Sequence, residues 1–194
     1  EKGQKVLAID MDPQGNMSSG LGLDKGSIDK TIYDMILGEI DVEDVINKGT
    51  IENLDILPSN VDLSAVEIEL IDEENKEFIV KNSIQKVRDN YDFVIIDCPP
   101  SLSLLTINAM TTADSVLVPI QCEYYALEGL SQLIRTVELV RDRLNPALNI
   151  EGVVFTMYDA RTNLSLQVVE NVKDNLQQNI YKTIIPRNIR LAEA

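Results

Sequence analysis

The sequence predicts an α/β protein, with a mostly parallel sheet flanked by helices. Three observations carry that expectation. Residues 6–9 (VLAI), 93–96 (FVII) and 115–120 (SVLVPI) are short, nearly continuous apolar runs, the pattern of strands covered on both faces. From 125 to 144 apolar side chains instead recur every three or four positions, at Leu127, Leu130, Ile134, Val137, Val140 and Leu144, as in an amphipathic helix lying on a sheet. Strand and helix patterns alternate along the chain, which favours right-handed βαβ crossovers. At 194 residues, the length suits a single domain over 1–194 with ample material for a core.

The opening EKGQK reads as the end of a helix, with Gly3 as its stop, before the strand at 6–9. That strand ends on Asp10, and Pro13–Asn16 forms a polar turn. The Gly- and Ser-rich stretch after it, MSSGLGLDKGS, reads as a loop. Short helices are expected over 31–38 and 41–46, the second with Asp41 as N-cap. A strand follows at 54–59, then helices over 61–72 and 76–88 separated by the charged break DEENKE. After the strand at 93–96, SLSLLTINAMTTAD predicts a helix with Ser101 near its N-cap. Beyond the helix at 125–144 come a strand, IEGVVFTM, a helix over 163–178 and a short strand at 183–185.

Composition narrows the chemistry. There is no histidine, which removes the usual general base and the commonest metal ligand. Catalysis must then use carboxylates, backbone amides, Lys or Arg. The two cysteines, Cys98 and Cys122, form no C-x-x-C pair and read as buried thiols. No run approaches the roughly 20 apolar residues that span a bilayer. The formal charge of −15 is uneven: residues 39–77 hold thirteen acids against two lysines, whereas 158–194 hold four acids and five bases. Bulk charge therefore does not exclude a DNA-facing edge. The acidic stretch is either a solvated face or a docking surface for a basic partner.

Two strand ends stand out as candidate site. KVLAIDMDPQGN places Asp10 at a strand terminus and Asp12 two residues later, and YDFVIIDCPPS places Asp97 at another. Ligands of open α/β sheets sit beyond the carboxyl ends of strands. An Asp after a hydrophobic strand is also the arrangement that holds Mg²⁺ on a nucleotide's phosphates. Either acid could instead cap its own turn.

DMDPQGNMSSGLG, YDFVIIDCPPSLSLLTINAM, GVVFTMYDARTNLS and IPRNIRLAEA, in that order, resemble the ParA/Soj chromosome- and plasmid-partitioning ATPases, the deviant Walker A branch of the P-loop NTPases. The resemblance runs from Lys5 to Ala194 and is weakest over about residues 24–88. It implies a three-layer P-loop NTPase-like fold, ATP and Mg²⁺ as cofactors, and ATP hydrolysis. Asp12 would position the attacking water, Asp97 would hold Mg²⁺ through a coordinated water, and Asp10 would support the metal. Pro186 would pack on adenine while Asn188 reads a ring edge. Arg161 and Arg190 match positions that face DNA. In such proteins ATP is sandwiched in a homodimer that binds DNA non-specifically, and a ParB/Spo0J-type partner stimulates hydrolysis; the setting is cytoplasmic, on the nucleoid, without membrane attachment.

One departure is plain: no G-x-x-x-x-G-K-[ST] loop occurs in these residues. The resemblance therefore leads us to expect a chain lacking the family's first βα unit and its C-terminal helical region, inactive toward ATP by itself and with unpaired strand edges. Two alternatives remain open at this point. One is a MinD-like division-site ATPase acting at a membrane; the other is a non-catalytic binding or regulatory protein without a phosphate-binding loop.

Overall fold

A computed structural model describes residues 3–49, 51–123, 126–175 and 179–188. Its contacts group into two compact units, Glu1–Ala113 and Asp114–Ala194. Each is built around its own parallel strands.

In the first unit, β1 (Val6–Asp10) is flanked by β3 (Leu54–Leu57) and β4 (Phe93–Asp97), both parallel to it. The two-residue β2 (Asn47–Lys48) adds antiparallel to β3, giving the order β2-β3-β1-β4. As its apolar run demands, β1 is covered on both faces: Leu7 and Ile9 are fully buried, and Ala8 nearly so. β4 lies at the edge of this sheet and leaves Phe93 and Ile95 more than half exposed.

Helices α1 (Asn16–Gly20), α2 (Ile32–Ile36), α3 (Val42–Val45), α4 (Val66–Glu69), α5 (Ile79–Ile84) and α6 (Leu104–Thr112) complete the unit. They bury Met35, Val42, Val66, Val80, Ile84 and Leu105 in one core with Leu7 and Ile9. A capping box opens α2, in which Tyr33 N donates to Thr31 Oγ1 and Thr31 N donates to Asp34. α6 is pinned through side chains: Asn108 accepts from Val80 N and donates to Lys76 O, and Thr111 Oγ1 donates to Glu77 O.

The second unit holds β5 (Ser115–Gln121), α7 (Ala126–Arg143), β6 (Asn149–Tyr158), α8 (Asn163–Asn175) and β7 (Ile180–Pro186). Its strands run parallel in the order β5-β6-β7. Val118, Ile120, Val153 and Phe155 pack against Leu130 of α7 and Val168 and Val172 of α8. Helical spacing had marked the buried face of α7 well, since Leu130, Val137 and Val140 are buried. Leu117 on β5 is half exposed.

The α/β class, the parallel strands and the N-cap position of Asp41 match expectation, and three local expectations are corrected. Residues 16–20 form a helix rather than a loop, because Gly15 takes a left-handed φ of 59° that turns the chain into it. The N-cap of α6 is Ser103, not Ser101, whose carbonyl instead accepts from Thr106 Oγ1. Asp41 occupies the N-cap of α3 but makes no cap bond; its carboxylate is taken by Lys86 at 2.7 Å. The helices at 61–72 and 76–88 are shorter, each opening in a 3₁₀ turn. Gly3 has a positive φ of 71°, while the helix end proposed before it lies outside the described residues.

β6 passes so close to β7 that only glycine fits at 152. A Cβ there would lie 2.7 Å from the Tyr181 ring and 3.0 Å from the carbonyl oxygen of Asn179. Gly152→Ala is therefore expected to destabilise the chain by about 1–3 kcal/mol, the usual cost of overpacking, in a urea titration.

Candidate active site

The pairing of β1 with β4 brings the two acid-ended strands together. Asp10 and Asp97 are register partners, and Met11 N donates to the Asp97 carbonyl at 2.8 Å, carrying the ladder one residue past the strand end. Asp12 follows at once, so three carboxylates converge beyond the carboxyl end of the sheet.

Their environments differ. Asp10 has no solvent exposure. Its Oδ2 accepts from Ser18 N at 2.8 Å and Ser18 Oγ at 2.7 Å, and its Oδ1 accepts from Asp12 N at 3.2 Å. Ser18 Oγ in turn accepts from Ser59 N at 3.2 Å, linking β1, α1 and the segment after β3. Asp12 is half-buried, and its Oδ1 accepts from Gln14 N at 2.9 Å in an Asx turn. Burial first, then the negative charges of Asp10 and Asp12, push the Asp97 carboxyl above its ordinary pKa. The next residue, Cys98, has its thiol pushed up to about 12, mainly by burial, so it stays protonated and unreactive at neutral pH. Cys122 is also a free thiol raised by burial.

A carboxylate held beside two others is where a divalent cation would relieve repulsion. Among the described residues no group of three or more His, Cys, Asp or Glu could hold a metal by itself. Mg²⁺ needs no such cage, because it is commonly held by one or two carboxylates with phosphate and water oxygens. The donor set therefore fits Mg²⁺ carried on a phosphate ligand.

In the second unit, β7 ends on Pro186, paired with Tyr158, and Arg187 N donates to Tyr158 O at 2.9 Å. This sets Pro186 and Asn188, both exposed, near the start of the 159–162 loop of the same unit. Arg161 projects from that loop with its guanidinium forked onto Asp159, Nε to Oδ1 at 2.9 Å and Nη2 to Oδ2 at 2.7 Å. The Arg161 fork, together with the Arg161 backbone amide, holds the Asp159 carboxyl well below the usual range. Asp159 was not singled out from sequence, though D-x-R spacing is a usable sign of such a fork. Ser18 and Ser59 were also missed, since nothing in MSSGLG announces a tertiary bond to Asp10. Arg190 lies outside the described residues.

The model of an AAA domain matches residues 1–150. The sporulation initiation inhibitor protein Soj of Bacillus subtilis is 54% identical over 192 residues, 99% of this chain and 76% of Soj. The chromosome partitioning protein ParA of Myxococcus xanthus is 46% identical over 190 residues, 98% of this chain and 67% of that protein. The chain belongs to the Soj/ParA family of chromosome-partitioning ATPases. A solved structure of cobyrinic acid a,c-diamide synthase from Mycobacterium smegmatis, with bound ATP analog and magnesium, is similar at a TM-score of 0.90 and 36% identity, covering 97% of this chain and 77% of that one. The likeness to it is in fold, whereas identity is higher to the partition proteins.

The raised Asp97 carboxyl gives a signed prediction. A folded-state pKa above the unfolded value means that ionising Asp97 costs stability as pH rises from the unfolded carboxylate range through the folded value. With divalent cations chelated, Asp97→Asn is expected to stabilise the fold slightly at pH 7, by less than about 1 kcal/mol given solvent screening. The gain should vanish below about pH 4, where the carboxyl is protonated in both states. Denaturant titrations at the two pH values check this.

Proposed function

We propose that the carboxylate cluster at the ends of β1 and β4 is the metal and water-orienting site of an ATP-hydrolysing partition switch. The observation supporting this most directly is the in-register placement of Asp10 beside Asp97, with Asp12 at the same edge. Asp97, half-buried and unfavourably ionised beside its neighbours, is the carboxylate that gains most from a cation, and we assign it to Mg²⁺ through a coordinated water. Asp12 orients the attacking water. Asp10 holds Asp12 and α1 in place through Asp12 N and Ser18, so it acts by positioning. Bound Mg²⁺ would neutralise phosphate charge during hydrolysis.

In the second unit, Pro186 packs against adenine and Asn188 reads the base edge. Arg161 and Arg190 contact DNA phosphates without reading sequence. ATP favours a homodimer that holds DNA, and hydrolysis, stimulated by a ParB/Spo0J-type partner, releases it. Residues 1–194 form part of one nucleotide-binding domain, which acts in the cytoplasm and on the nucleoid. Among the described residues no helix is long and apolar enough to cross a membrane.

Two measurements on the intact gene product test these assignments. Asp12→Ala is expected to retain Mg-ATP binding by equilibrium dialysis while its turnover falls on the order of 10²–10⁴. Loss of binding together with turnover would reassign Asp12 to a structural part. Arg161→Ala should weaken binding to DNA of any sequence and reduce the slope of log affinity against log salt by about one. An unchanged slope would remove Arg161 from the DNA surface.

A further inference from the structure

Ser18 has no solvent exposure, and the steps assigned to the carboxylate site do not use its hydroxyl. A hydroxyl carries one donor and two acceptor lone pairs. Here the donor goes to Asp10 Oδ2 at 2.7 Å, beside the Ser18 amide on the same oxygen at 2.8 Å. On its acceptor side the hydroxyl receives Ser59 N at 3.2 Å, from a residue that is itself fully buried. Ser59 is anchored in turn, because the carbonyl of its neighbour Pro58 accepts from Ile32 N at 2.8 Å, at the start of α2. Ser18 thus stands between a fixed segment after β3 and the carboxylate that ends β1.

That carboxylate bears on Asp12. Asp10 Oδ1 accepts from Asp12 N at 3.2 Å, a long bond that does not orient the carboxylate by itself. The two shorter bonds to Oδ2 set its plane and leave Oδ1 facing the Asp12 amide. The Asp12 side chain is already engaged by Gln14 N at 2.9 Å, so the direction of this acid follows the backbone that carries it. Removing the Ser18 hydroxyl takes one donor from buried Asp10 and the acceptor from the buried Ser59 amide. Buried polar groups that lose a partner are costly, so the local backbone shifts to recover one.

We infer that Ser18 is a positioning residue for ATP hydrolysis: its hydroxyl, held by the Ser59 amide, fixes Asp10 and through it the backbone at Asp12. The inference rests on the assignment of Asp12 to the attacking water. Ser18 touches neither phosphate nor water in this scheme, and it acts on turnover rather than on nucleotide affinity. A group that only supported the fold would act equally whether or not Asp12 is present, whereas a group acting through Asp12 loses its effect once that carboxylate is gone.

The test is a double-mutant cycle on the intact gene product, with Ser18→Ala, Asp12→Ala and the two combined, read by Mg-ATP turnover with radiolabelled ATP. Ser18→Ala is expected to lower kcat about 10–100-fold, as loss of a supporting hydrogen bond commonly does, with KM for ATP within about twofold of the unmodified protein. In the Asp12→Ala background the same substitution should change the residual turnover by less than about twofold. Circular dichroism verifies folding. If Ser18→Ala does not fold, Ser18→Cys, which keeps a weak donor, replaces it in the cycle. A kcat unchanged in Ser18→Ala while Asp12→Ala is slow would overturn this inference alone. Equal losses in both backgrounds, or failure of both Ser18 variants to fold, would make Ser18 a structural residue. Full turnover in Asp12→Ala would sink the assignment of the attacking water, and the positioning role with it.

Discussion

The parallel pairing of β1 with β4 is the constraint on which the first unit depends. It buries Leu7 and Ile9 at the centre of a sheet, and by the same register it sets Asp10 against Asp97. The apolar rungs and the acidic rung cannot be separated: a slip of one residue would turn every apolar side chain of β1 to the other face. Hydrophobic burial is therefore what holds like charges together. Burial and the neighbouring negative charges both disfavour ionisation of Asp97, an effect that solvent screening keeps modest in a half-buried site. Ser18 answers this at Asp10 with two donors on one oxygen, whereas Asp97 is left unfavourable and open to a cation.

This division explains why the neighbourhood of Asp10 is built as it is. A buried carboxylate requires donors, and those donors lie on α1, a helix of five residues with no side-chain cap of its own. Helices so short are not stable alone. α1 therefore exists because Asp10 needs Ser18, and because Gly15 at positive φ turns the chain toward it.

The same reasoning separates what the sequence could disclose from what it could not. Strands were legible because continuous apolar runs have few other uses, and the inward face of α7 was legible because 3.6-residue periodicity survives over eighteen residues. The residues 16–20 were misread as loop because their helix is fixed by a tertiary bond. Asp41 was correctly placed at a helix start, but its carboxylate goes to Lys86, forty-five residues away, a competition that no local rule contains. β2 has two residues and no pattern to read. Asp10, Asp12 and Asp97 were each visible as acids ending or following strands, yet adjacency in register is a property of pairing and had to come from the structure.

The Asp159–Arg161 fork shows how a surface arginine can be pre-arranged for an incoming oxyanion in a chain of charge −15. Holding a long side chain in one geometry costs rotamer entropy of about 2 kcal/mol for a free arginine. Here Asp159 already bears that cost within the folded protein. The fork uses one Nε–H and one Nη2–H, and guanidinium carries five N–H donors, so three remain for an incoming oxygen. The compromise is charge: Asp159 cancels part of the attraction, which weakens long-range steering while leaving short-range hydrogen bonding intact. An arginine arranged in this way favours close, reversible contact with an oxyanion over strong capture.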